Sequence, residues 1–272
     1  MMDNLIFALN NVHFSYLGKY PALCGVDITI RQGEKITIIG ANGSGKSTLL
    51  HMLDGLIFPD KGTMKAFGSE LKEDLFNDEN FSGDFRKKVG LVFQNSDVQL
   101  FCPTVQEDVI FGPLQLRVDK REITKRLERL VNILNIKDLL DRSPHQLSIG
   151  EKRKVAIAST LMIDPDVLIV DEPTAGLDPL TTRHIIDLLL QANASGKTLI
   201  TSTHDLHIVE EISDVIHVFG SEKKIVRSGS TREILEDNQL LQANNLIHIH
   251  SHRHKGTIHT HPHLHVYHHE EE

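Results

Sequence analysis

An α/β fold carrying a mostly helical insertion is predicted by three observations. Short β-branched runs recur along the chain and end abruptly at glycine or at paired acids. Between residues 105 and 160, by contrast, apolar residues recur at helical spacing, as at Ile123, Leu127, Leu130, Val131 and Leu134. The composition agrees: 40% hydrophobic and 24% charged residues over 272 positions are enough for a sizeable core, which excludes a wholly disordered chain.

Each element follows in order. Residues 5–12 are apolar and 26–30 alternate, both reading as strands, and the turn Arg31-Gln32-Gly33-Glu34 follows the second. Lys35-Ile36-Thr37-Ile38-Ile39 is a buried strand that stops at Gly40, and residues 49–53 begin a helix. The polar stretch 69–84 reads as surface loop and short helix, and 89–93 as another strand. Arg117 to Asp119 and Ser143-Pro144 break the helical block into separate helices. Strand character returns at 167–170, 198–202 and 216–219, with a helix near 182–191.

Two features carry chemistry. Gly40-Ala41-Asn42-Gly43-Ser44-Gly45-Lys46-Ser47-Thr48 fits G-x-x-x-x-G-K-[ST] between a strand and a helix. Glycines allow successive backbone N–H groups to form an anion nest, and the helix N-terminus adds its positive end. Lys46 would reach the β- and γ-phosphates and Ser47 would offer its hydroxyl to Mg²⁺. A chance match in this length is of order one in a hundred. The second feature is the apolar run 167–170 ending in Asp171-Glu172. Acids at a strand end bring charge to the sheet edge where phosphates bind, Asp171 as a water-mediated Mg²⁺ holder and Glu172 as general base. Together they imply nucleoside triphosphate hydrolysis.

Over residues 4–235 the sequence resembles the ATP-binding subunits of ABC transporters. Leu147-Ser148-Ile149-Gly150-Glu151 is similar to the family's signature loop, Ala175-Gly176-Leu177-Asp178 to its D-loop, and Thr203-His204-Asp205 to its switch segment. Gln94 follows a strand as the Q-loop glutamine does, and Tyr16 is similar to the aromatic that stacks on adenine. The resemblance implies a P-loop NTPase (RecA-like) core with an N-terminal antiparallel β subdomain and a helical subdomain at about 95–160, together spanning 1–240. It also implies a head-to-tail dimer with a second ATPase subunit, identical or paralogous. Ser148 and the Gly150 amide would meet the γ-phosphate from across that interface. His204 would contact the same phosphate, Asp178 would lie in the D-loop, and Gln94 would touch Mg²⁺ together with Ser47 and Asp171. The signature departs from the family pattern at Ile149 and Glu151, so an intact but slower composite site is expected.

The branch of the family is narrowed by what the chain lacks. Each motif occurs once, and about a hundred residues separate Lys46 from Ser148 without sustained heptads, leaving no room for a long coiled coil. A stand-alone importer subunit is the expectation. Residues 94–101 and 104–112 resemble the energy-coupling-factor class, whose ATPases drive a transmembrane coupling protein and a substrate-capturing membrane subunit. Their cargo is a vitamin or a transition metal. A cytosolic metal-storage or metal-delivery ATPase is the alternative outside transport.

The net charge of −8 argues against a backbone-driven nucleic-acid partner. Two cysteines, Cys24 and Cys102, fit a reducing compartment. The chain opens without a signal-peptide pattern and its longest apolar stretch is about half a membrane span, so a peripheral place on the cytoplasmic face is expected. Ten of seventeen histidines lie between His248 and His269, marking 241–272 as a flexible tail. His248, His250, His252 and His254 alternate, and so do His259, His261, His263 and His265. In an extended chain each set shares one face, and imidazole suits nickel, cobalt, copper and zinc. A metal buffer or sensor and a merely solvated low-complexity tail are both open readings. Nickel or cobalt is the cargo expected.

Overall fold

The computed structural model describes residues 4–254 and 257–263, the strands at 248–254 and 257–263 by their backbone alone. In chain order the elements are β1 (Leu5–Tyr16), β2 (Tyr20–Arg31), β3 (Lys35–Gly40), α1 (Lys46–Leu53), β4 (Lys61–Ala66) and β5 (Ser69–Glu70). Then come α2 (Glu79–Lys88), β6 (Val89–Val92), α3 (Val105–Gln115), α4 (Lys120–Leu134), α5 (Ile149–Leu161) and β7 (Val167–Asp171). The chain continues through α6 (Pro179–Ala194), β8 (Thr198–Thr203), α7 (Leu206–Ile212), β9 (Val215–Phe219), β10 (Ile225–Ser230), α8 (Thr231–Leu235) and α9 (Asn238–Ala243). It ends in β11 (His248–His254) and β12 (Thr257–His263).

Two sheets make the body. One is antiparallel, in the order β2-β1-β4-β5; the other runs β10-β9-β3-β8-β7-β6, parallel except for the β9–β10 pair. The parallel strands are buried on both faces, as crossover helices require, and therefore read as unbroken apolar runs. Ile169 joins Leu49, Leu50 and Leu53 of α1 in the core between the two sheets, with Phe7, Val26 and Ile28 beyond them. Its neighbours Leu168 and Val170 point the other way, into the core built from α3, α4, α5 and α6.

The helical insertion is three capped helices. Thr104 and Glu107 form a reciprocal capping box at α3, Asp119 caps α4, and Ser148 and Glu151 form a second box at α5. Asn135 ends α4 in the left-handed conformation that a short polar side chain tolerates. The expected breaks near 117–119 and 143–144 fall between these helices. Strands β4 and β10 and the short helices α7, α8 and α9 have no counterpart in the sequence reading: the two strands are largely exposed and interrupted by glycine, so they carry no apolar run, and the helices are too short for a clear period. Among the described residues no helix is long and apolar enough to cross a membrane.

Asp54 closes α1 in the core, and burial pushes its carboxyl up to about 7 even though Arg86 pulls the other way. The unfolded chain releases this proton near the ordinary value of 3.8. Between those two pH values the unfolded state binds fewer protons, so stability falls as pH rises. Asp54→Asn is expected to flatten that decline and to be more resistant to urea than the native protein at pH 8, with the advantage gone at pH 4. Parallel urea curves for the two proteins at both pH values would contradict the burial argument.

Candidate nucleotide site

Strand register alone assembles the site. Ile39 pairs with Thr203, Asp171 with Ser202, and Val92 with Val170, so the carboxyl ends of β3, β8, β7 and β6 finish side by side. The residues that follow those ends are Gly40 onward, His204, Glu172 and, beyond Phe93, Gln94. A crevice outside the carboxyl ends of parallel strands is where α/β sheets bind ligands.

The loop between β3 and α1 has the backbone its glycines permit. Gly43 has φ 74° and Gly45 φ 115°, and a Cβ on Gly45 would lie 2.4 Å from the Ala22 carbonyl oxygen. No other residue fits there. Lys46 is buried and donates to the Gly40 carbonyl at 2.7 Å and to that of Ala41 at 3.3 Å. Burial lowers its pKa, against the upward pull of Glu172 and Asp171. The buried Ser44 hydroxyl has no partner among the described residues. An orphaned polar atom in a glycine nest at a helix N-terminus fits a phosphate oxygen. Ser47 lies half-buried in the first turn of α1. Its hydroxyl and the Asp171 carboxylate are the hard oxygen donors that suit Mg²⁺. Tyr16 ends β1 over the same helix, its hydroxyl 3.2 Å from Thr48 Oγ1 and its ring edge-on to Phe14.

Glu172 is the conformational outlier. It is buried at φ 48°, uncommon for any residue other than glycine. Strain of this kind persists where the surroundings fix it and collects at functional sites. Here the Glu172 amide donates to the Ser202 carbonyl at 3.0 Å and Thr203 Oγ1 donates to Glu172 Oε2 at 3.2 Å. His204 Nδ1 lies 2.9 Å from Glu172 Oε1, a contact that raises the His204 pKa. Ser202 donates to Asp171. The carboxylates are thus held by β8 and aimed at the loop that carries Lys46.

The signature residues form a second cluster. At the start of α5, the Ser148 hydroxyl and amide both bond Glu151 Oε2 at 2.8 Å, and the Glu151 amide donates back to Ser148 Oγ at 3.3 Å. Those bonds lower the Glu151 pKa and keep it ionised. Gly150 faces the D-loop helix, where a Cβ would lie 3.2 Å from Thr181, and Asp178 caps that helix through the Thr181 amide at 2.9 Å. Gln94 is exposed on its loop.

Four residues went unread in the sequence. Arg153 of α5 is buried and donates to the carbonyls of Phe93 at 2.7 Å and Gln94 at 2.5 Å. Burial lowers its pKa against the pull of Asp171 and Glu172. Gln99 accepts from the Phe93 amide at 3.2 Å and donates to Thr160 Oγ1 at 3.0 Å, while Lys152 reaches Asp97 at 2.6 Å. Lys223, in the turn after β9, donates to the Gly43 carbonyl. An arginine inside an otherwise buried helix face was the available signal for Arg153. The tail histidines His248, His250, His252, His254, His259, His261 and His263 fall where only backbone is described, and His265 lies outside the described residues.

A family model for the ABC transporter matches residues 23–175, more than half of the chain. The chain belongs to the ABC transporter ATP-binding family. It is 47% identical over 244 residues to the nickel import ATP-binding protein NikO of Rhodobacter capsulatus, covering 89% of this chain and 95% of that one. It is 42% identical over 243 residues to the energy-coupling factor transporter ATP-binding protein EcfA of Carboxydothermus hydrogenoformans, covering 89% and 87%. Among solved structures it is similar to cbiO1 of Clostridium perfringens, part of the ABC transporter complex cbiONQ, with TM-score 0.75, 33% identity and coverage of 90% and 96%. The ABC ATPase is therefore an importer ATPase that hydrolyses ATP to drive transport, close to the energy-coupling-factor and nickel-import ATPases.

The capping box at α5 makes a prediction about stability. Ser148→Ala is expected to cost ~1 kcal/mol in urea unfolding. Glu151→Gln, which keeps the reciprocal bonds, should stay within ~0.5 kcal/mol of native. Equal losses would show that the charge of Glu151, not the box, holds the helix end.

Proposed function

We propose that the chain powers a transition-metal importer, with nickel or cobalt as cargo, by ATP-driven closure and hydrolytic opening of a dimer. The observation that carries the cargo is the likeness to a nickel import ATP-binding protein across nearly its whole length. The histidine-rich tail supports a metal over a vitamin. The likeness to an energy-coupling factor ATPase favours the vitamin reading as the second one.

In this reading the Gly40, Asn42, Gly43, Ser44 and Gly45 backbone, Lys46, Ser47 and Thr48 hold the phosphates and Tyr16 lies against the base. Mg²⁺, held by Ser47, Asp171 and Gln94, would neutralise phosphate charge. Glu172 orients the attacking water and takes its proton; His204, bonded to Glu172, reads the γ-phosphate. Ser148 and Gly150 complete the site of a second subunit. In support, Ile149 and Leu180 are 66% and 67% exposed at the signature and D-loop helices, where Gly150 meets Thr181. Bare aliphatic side chains at that junction suit burial against a partner.

A membrane partner is supported by a second exposed apolar patch. Phe101 and Phe111 stack edge-on at 5.0 Å near the loop of Gln94, with Val98 and Leu114 also exposed. Such a patch suits the cytoplasmic surface of a transmembrane coupling protein, and it supports a peripheral position on that face of the membrane.

Three measurements test the reading. Glu172→Gln should retain ATP binding, accumulate an ATP-bound dimer and lose ~10²–10⁴-fold in hydrolysis; a native rate would remove Glu172 from its role. Lys46→Ala should abolish tight ATP binding. At its own locus in metal-limited medium, Glu172→Gln should lower cellular nickel or cobalt selectively by elemental analysis. Unchanged levels of both metals, with the mutant protein present at the membrane, would refute metal import and leave vitamins.

A further inference from the structure

The tail is the one motif that the ATPase does not absorb. Its backbone pairs β11 with β12 antiparallel, and the register sets His248 opposite His263, His250 opposite His261, and His252 opposite His259. Successive residues of a strand alternate between faces, so all three pairs fall on one face of the two-stranded ribbon, with His254 at its end. The other face carries Ile249, Ser251 and Arg253 against Pro262, Thr260 and Ile258. Directly opposed residues have Cβ atoms ~4.5–5.5 Å apart, and neighbouring pairs on one face are separated by two residues, ~6.6 Å. Two neighbouring pairs thus bring four histidine positions into one patch of a single face.

We infer that this ribbon is a transition-metal site, formed where neighbouring cross-strand histidine pairs share one face. The ligand class is a divalent cation that prefers imidazole nitrogen: nickel, cobalt, copper or zinc rather than magnesium or calcium. Pairing, not histidine number, sets the affinity. One ion ties two strands together, so binding and hairpin formation stabilise each other. The site also has a fixed root. Leu246 and Ile247, the last residues before β11, are buried in a cluster with Leu206 and Val209 of α7, the helix that follows His204 and Asp205. The inference stands apart from the cargo, because it concerns binding by the purified protein and no transport step.

Two full-length double variants, each missing two histidines, separate pairing from number. His252→Gln with His259→Gln removes one end pair and leaves the neighbouring pairs His248–His263 and His250–His261 intact. His250→Gln with His252→Gln breaks two pairs and leaves no neighbouring pairs at all. Calorimetric titration with nickel chloride alone should find the first variant near native affinity and the second weaker by about tenfold or more, as loss of metal-site support generally costs. Equal affinities in the two variants, or no nickel binding by the native protein, would overturn the inference. The body carries none of these positions, so unchanged ATP binding certifies that both variants are folded. A negative metal-import result in cells would leave this titration unaffected.

Discussion

Four charged side chains, Lys46, Asp171, Glu172 and Arg153, are buried near one edge of the parallel sheet. Buried charge is costly unless it is paired and hydrogen-bonded, and much of the architecture answers that cost. The β8 hydroxyls Ser202 and Thr203 hold the two carboxylates, and Lys46 folds back onto the carbonyls of its own loop. Arg153 donates from its two terminal nitrogens to the Phe93 and Gln94 carbonyls, while its buried Nε has no partner among the described residues. A triphosphate with its magnesium would bring charges of both signs to this edge, which makes the arrangement receptive to that ligand.

The same bonds join the site to the rest of the molecule. Helix α5 begins with the signature residues at one end. Further along, Lys152, Arg153 and Thr160 grip the segment from Phe93 to Gln99 directly or through Gln99. A displacement of the Gln94 loop therefore acts on the signature helix through several bonds at once. The apolar patch around Phe101 lies just beyond this segment, so a membrane partner seated there would pull on both motifs together. These bonds join the Gln94 segment to α5, and Arg153 is the most buried residue among those that make them.

Much of this was legible in the sequence because the signals were local. The phosphate loop announces itself by glycines at fixed spacing, and Asp171-Glu172 by charge at the end of an apolar run. The capping box at Ser148 and Glu151 is readable from four letters. What was not legible depends on register and packing. Nothing near Arg153 in sequence says that its guanidinium meets carbonyls about sixty residues earlier. The conformation of Glu172 is likewise imposed by β8, a strand some thirty residues further on. Strands β4 and β10 are mostly exposed and so show no apolar run, and α8 and α9 hold too few residues for a period to emerge. The histidine alternation was plain, whereas its cross-strand register required the backbone.

Glu151 shows how one substitution acts at two levels. At the helix terminus its carboxylate accepts from the Ser148 amide and hydroxyl, and a negative charge there complements the helix dipole. The isolated subunit gains a firmly capped α5. Yet in the proposed dimer that N-terminus is the surface that would receive a γ-phosphate carrying the same sign of charge. Glutamine would satisfy the cap through the same oxygen and leave the dipole free for the phosphate. The carboxylate instead spends part of that potential on the subunit's own stability. On the proposed reading, closure around ATP would then draw more heavily on Lys46, the loop amides and Mg²⁺, and the signature would contribute chiefly through the Gly150 amide.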